Sequence, residues 1–153
     1  MGWFTRKTRS DVDETPTAGE IEILDDVPTR PTSSPLGAPE QARIGAAVAW
    51  FGEAGVDLLD ADSLGRAFDT ALGHTPDDEI IERFGVGVGE HLRHHTDFVW
   101  ALVSDIYGTD LGLMGRYDDT VVVPHTLVGA RVLNRERGWI PGVTAHLTRI
   151  RRR

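Results

Sequence analysis

The sequence has no cysteine, so disulfides, thiolate nucleophiles and cysteine metal ligands are excluded. It contains no run of roughly 18 apolar residues of the kind that a membrane-spanning helix requires. Its first residues lack the apolar core of a secretory signal, and Arg6 stands where an N-myristoylation motif needs Ser or Thr. A cytoplasmic protein is therefore expected. No internal repeat is visible, no His-Glu-x-x-His string occurs, and no serine sits in a glycine-flanked nucleophile elbow. What is present is a 153-residue chain with 40% hydrophobic residues, enough for one domain with additional length.

The formal net charge of -8 conceals a polarity. Residues 39–130 hold 5 Arg against 16 Asp and Glu, a net of -11, whereas residues 131–153 hold 7 Arg against Glu136 alone, a net of +6. Three roles suit a basic end of this kind: a solvated tail, a contact folded back onto the acidic body, or a phosphate-binding surface at Arg149 to Arg153. Nucleic-acid binding ranks last of these, because the acidic body would repel phosphates.

Sustained β signal is confined to Phe98 to Pro124. Phe98 to Val103 is a short apolar run rich in aromatic and β-branched residues, which favours a largely buried strand. Ser104 to Asp110 supplies turn chemistry, with Gly108 able to take positive φ and Asp105, Thr109 and Asp110 able to bond their own backbone. A return strand at Leu111 to Met114, a second turn and a strand at Val121 to Val123 complete a three-stranded meander, which Pro124 ends.

Helical patterns flank this sheet. Pro39 and Glu40 suit a first turn, and Ile44, Ala47, Val48, Phe51 and Ala54 recur at helical spacing. A second helix, capped by Asp62 or Ser63, carries Leu64, Ala67, Phe68, Ala71 and Leu72 on one face. A third starts from Thr75-Pro76 and runs to His95 with Ile80, Phe84, Val88 and Leu92 as its stripe. Inside it lies Gly85-Val86-Gly87-Val88-Gly89, where three glycines cost about 1 kcal/mol each relative to alanine. Close approach of another backbone is the expected compensation, since a phosphate-binding loop follows a strand rather than interrupting a helix. Two further helices, His125 to Arg137 and Val143 to Ile150, complete the domain.

Residues 1–38 lack periodicity and apolar surface, so a disordered tail is expected ahead of a domain over 39–153. Two islands stand out in it. Trp3 and Phe4 beside Arg6, Lys7 and Arg9 have the composition of a weak contact to an anionic membrane surface, giving a peripheral location. Glu20 to Val27, with Ile21, Ile23 and Leu24, alternates apolar and acidic residues as a strand-adding or groove-binding motif does.

His91 and His95, four residues apart, project from one helix face and form a candidate metal set, with His125 or Asp105 as the third ligand. Histidines near a helix C-terminus are also favoured by the dipole without a metal.

The stretch Phe98 to Leu111, FVWALVSDIYGTDL, followed by Val122-Val123-Pro124 and Val128-Gly129-Ala130-Arg131-Val132, resembles an uncharacterised bacterial family, frequent in actinobacteria, known as domain of unknown function 3806. The resemblance spans roughly residues 40–150, and Ile106 departs from it where an acidic residue is usual. It implies a shared Tyr107-Gly108-Thr109-Asp110 motif, read as a structural turn or as a partner-recognition surface.

The expected fold is α+β, with helices on one face of a three-stranded antiparallel sheet and a disordered N-terminal tail. The expected function is a non-enzymatic protein-protein interaction module, or accessory subunit of a larger bacterial assembly, docking in part through its tail. Its contact residues are Trp3, Phe4, Ile21, Ile23, Leu24, Tyr107 and Asp110, with no cofactor. The alternative is a metal-dependent enzyme using His91, His95 and His125.

Overall fold

Three glycines within five residues weaken a helix unless the missing side chains make room for something. A computed structural model of the protein, describing residues 30–117 and 120–152, shows what enters that room. The five helices are α1 (Ala38–Glu53), α2 (Ala61–Ala71), α3 (Asp77–His95), α4 (Pro124–Leu133) and α5 (Ile140–Ile150). Helix α3 is the centre, packing against each of the other four helices and against the sheet. Its residues from Phe84 to Leu92 are all buried, so it needs close approach on several sides.

Each glycine admits a ring from a different element. A Cβ on Gly85 would lie 2.6 Å from the His125 ring of α4, and one on Gly87 would lie 2.8 Å from the Phe51 ring of α1. One on Gly89 would overlap the indole of Trp100. The compensation is therefore side-chain rings rather than another backbone. Around the same helix, Phe84 meets Phe51 and Phe68 edge to face at 5.2 and 5.4 Å, and Phe68 meets Trp139 at 5.6 Å.

The remaining apolar stripe is as the spacing predicts. Ile80, Phe84, Val88 and Leu92 are fully or almost fully buried. Helix α1 has its proline in the first turn, and the Glu40 carboxylate accepts from the Gly37 N–H at 2.9 Å. The cap of α2 is Asp60 rather than Asp62 or Ser63: its Oδ1 accepts from the Asp62 N–H at 2.9 Å, fixing the turn two residues earlier.

The sheet has four strands, not three. Strands β1 (Thr32–Ser34), β2 (Val99–Asp105), β3 (Gly108–Met114) and β4 (Val121–Val122) lie in sequence order, every pair antiparallel. The additional strand, β1, comes from within the stretch read as tail. Thr32-Ser33-Ser34 is exposed and has no apolar alternation, so only its backbone pairing to the edge of β2 makes it a strand. Side-chain pattern cannot reveal such a segment. Trp100 stands opposite Leu113, and Leu113 opposite Val122, so these three line one face and carry the sheet onto the core. Among the described residues no helix is long and apolar enough to cross a membrane.

Substitution at the helical glycines separates packing from propensity. Gly89→Ala gains helix propensity but drives a methyl into Trp100, so a net loss of about 1–3 kcal/mol is expected. Gly45→Ala on exposed α1, with nothing within 4 Å, should gain up to about 1 kcal/mol. Urea unfolding midpoints moving in opposite directions would confirm this, and a stabilised Gly89→Ala would refute the ring-admission account.

Candidate functional site

The reversal between β2 and β3 is built by short-range chemistry. Asp105 Oδ1 accepts from the Tyr107 N–H at 2.7 Å, Gly108 takes a φ of 133°, and the Ser104 and Thr109 hydroxyls lie 2.6 Å apart. Ile106 and Tyr107 are left 59% and 90% exposed at its tip. Behind that tip runs an open groove of about 960 Å³, bounded by the hairpin, β4, α4 and α5. Val121, Val122, Leu127, Val143 and Leu147 make its walls apolar, while Arg131 and His146 contribute polar groups from the two helices. The Tyr107 and Asp110 chosen from the sequence both line it.

Asp110 also connects the groove to a polar cluster in which an exposed ion pair covers a buried histidine. Arg43 of α1 and Glu82 of α3 form a two-pronged pair with contacts of 2.9 and 2.8 Å. His125, only 6% exposed, has Nε2 3.4 Å from Glu82, outside hydrogen-bond geometry, so neither ring nitrogen has a hydrogen-bond partner. Burial holds the His125 ring below the ordinary histidine value of 6.5, against the opposing pull of Asp110 and Glu82. The Arg43 hydrogen bond holds Glu82 below the ordinary carboxylate value of 4.5.

A buried carboxylate, Glu90, is structural. It accepts from Arg93 at 2.9 and 3.0 Å and from the Trp100 indole at 2.7 Å, pinning the ring that fills the gap at Gly89. Burial raises its pKa, but the Arg93 and Trp100 hydrogen bonds outweigh that and leave it below 4.5.

His91 and His95 do come together, with ring centroids 4.5 Å apart. Their Nδ1 and Nε2 atoms lie 2.9 and 3.0 Å from the carbonyl oxygens of Leu58 and Leu59, so these rings tether the loop before α2. His125 does not join them, since it sits against Gly85 and Glu82. Among the described residues no group of three or more His, Cys, Asp and Glu side chains is placed to hold a metal ion. In the basic terminus, Arg151 folds back onto Asp97 at 3.0 Å and over the Phe98 ring, while Arg149 contacts His146. Trp3, Phe4, Ile21, Ile23 and Leu24 lie outside the described residues.

Sequence reasoning missed the partners of these groups. Arg43 and Glu82 are 39 residues apart, and no local pattern joins them. Arg131 and His146 acquire a shared role only when α4 and α5 form one side of the groove.

The architecture is thus an α+β domain whose hairpin overhangs a groove walled by two helices. The family described as Domain of unknown function (DUF3806) matches residues 60–141, more than half of the chain, and the chain belongs to that family. The matched region holds α2, α3, β2 to β4 and α4, including the hairpin and one helical wall of the groove. No curated protein and no solved structure matches the chain.

Acid should destabilise the fold in two stages. His125 and His91, both lowered chiefly by burial, stay neutral in the fold to a lower pH than in the unfolded chain. The unfolded chain therefore takes up protons first as pH falls below 6.5, and the stability present above that value declines toward the folded pKa values. Glu82 and Glu90 remain ionised in the fold below 4.5, so a second decline begins there. Urea midpoints measured from pH 8 to 5.5 should fall, and less steeply in His125→Gln. A flat profile over that range would contradict the buried neutral rings.

Proposed function

We propose that this protein is a non-enzymatic protein-interaction module, an accessory subunit of a larger assembly, which holds a short apolar and acidic segment of a partner in the groove behind the β2–β3 hairpin. The observation that carries this reading is the groove itself: a volume of about 960 Å³ with valine and leucine walls. Arg131 and His146 complement carboxylates on an incoming segment, while the apolar walls take its alternate side chains. Tyr107, almost wholly exposed at the mouth, is the type of residue that anchors interfaces, because its large ring carries one polar atom and few rotatable bonds. Asp110 lines the groove near the hairpin end and is the second partner-binding residue of this reading.

The test places a photo-crosslinking amino acid at Tyr107 of the full chain in its native cells, identifies the adduct by mass, and measures binding of the corresponding synthetic segment. Ala130→Glu, on the exposed face of α4 in the groove, should weaken that segment at least tenfold without altering the unfolding midpoint. A segment whose affinity ignores Ala130→Glu and Tyr107→Ala, or the lack of any specific adduct, overturns the proposal.

A further inference from the structure

The chain carries, a few residues ahead of β1, a segment with the composition that this groove suits. Residues 20–27 read Glu-Ile-Glu-Ile-Leu-Asp-Asp-Val, and they lie outside the described residues. We infer that this segment of the chain itself docks in the groove beside β4 and so regulates the groove by competing with the partner. The inference rests on the groove being a docking site.

Connectivity supports it. Strand β1 runs antiparallel to β2 with Thr32 opposite Ser104, so the chain ahead of Thr32 arrives beside the reversal at Asp105 to Gly108, which forms the groove mouth. Crossing from β1 to β4 means passing three strand spacings, roughly 14 Å, and also moving about 13 Å along the strands, because Thr32 is level with Thr109 whereas Val122 pairs with Leu113. The five steps from Val27 to Thr32 reach at most about 17 Å, short of that diagonal of roughly 19 Å, so the connection brings Val27 to the groove mouth and leaves the residues before it, Glu20 to Asp26, to run on toward β4.

Chemistry supports it as well. Strand β4 ends the sheet, and among the described residues no strand pairs with its outer edge. On the helical wall Glu20, Glu22, Asp25 and Asp26 would meet Arg131, which also faces Glu136 at 3.4 Å, and His146, which Arg149 contacts at 3.0 Å. Asp105 and Asp110 make the hairpin side acidic, which turns the carboxylates of the segment toward α4 and α5. Ile21 and Ile23 alternate with those carboxylates, as residues facing an apolar wall do.

The test uses the full chain with Ile21→Ser, Ile23→Ser and Leu24→Ser together, and a fluorescein-labelled synthetic peptide of residues 18–29 as probe. The peptide should bind the triple variant at least tenfold more tightly than the unaltered chain, whose groove is already filled. Ala130→Glu added to the triple variant should reduce that binding at least tenfold. Amide exchange over residues 121–131 should be faster in the triple variant than in the unaltered chain. Equal peptide affinity for both chains, binding to neither, insensitivity to Ala130→Glu, or unchanged exchange would each overturn the inference. A crosslinked partner that still depends on Ala130 in those cases leaves the groove as a docking site and removes only the intramolecular occupant.

Discussion

The structure depends on how closely α3 can be approached. A helix buried from Phe84 to Leu92 must be surrounded, and side chains on every face would hold its neighbours too far away. Gly85, Gly87 and Gly89 remove that spacing on three faces, letting in His125, Phe51 and Trp100. Each ring belongs to a different element, so one short run positions α1, α4 and β2 together. The helix-propensity cost of three glycines, about 3 kcal/mol in total, is offset by the packing of three large rings against the backbone they expose. Two of the admitted rings also carry polar atoms. Trp100 reaches Glu90, whereas His125 is buried near Glu82 without a hydrogen bond.

Fixing β2 and α4 in this way determines where the groove lies. The hairpin extends from β2 beyond the region that α3 contacts through Trp100 and Leu113, and α4 begins directly after β4. The space between them is therefore a consequence of two anchored elements diverging, with α5 closing its far side. Asp110 lies where that space meets the Arg43, Glu82 and His125 cluster, so charge arriving in the groove acts on groups that bind α1 to α3. The family match covers most of this arrangement but stops at residue 141, before the α5 residues that line the groove.

Elements whose information is local were legible in the sequence. The stripe of Ile80, Phe84, Val88 and Leu92, the turn at Asp105 to Gly108 and the strands around it follow from spacing and backbone preference. Tyr107 and Asp110 were identified through a motif, and the groove gives them a common location. Strand β1 was not legible, because three exposed polar residues pair through backbone alone. The purpose of the glycines was visible as a problem but not as a solution, since the rings they admit come from positions 51, 100 and 125. For the same reason the histidines suggested a set of three. Spacing joins His91 to His95, but only tertiary packing could have shown that His125 belongs with Glu82.

The most direct measurement is an amide-shift map of the full chain by NMR as the crosslinked partner's segment is added. The account predicts changes concentrated at residues 103–110, 121–131 and 142–147, the three stretches that bound the groove. Changes concentrated instead at the His91 and His95 cavity, or along exposed α1, would contradict it.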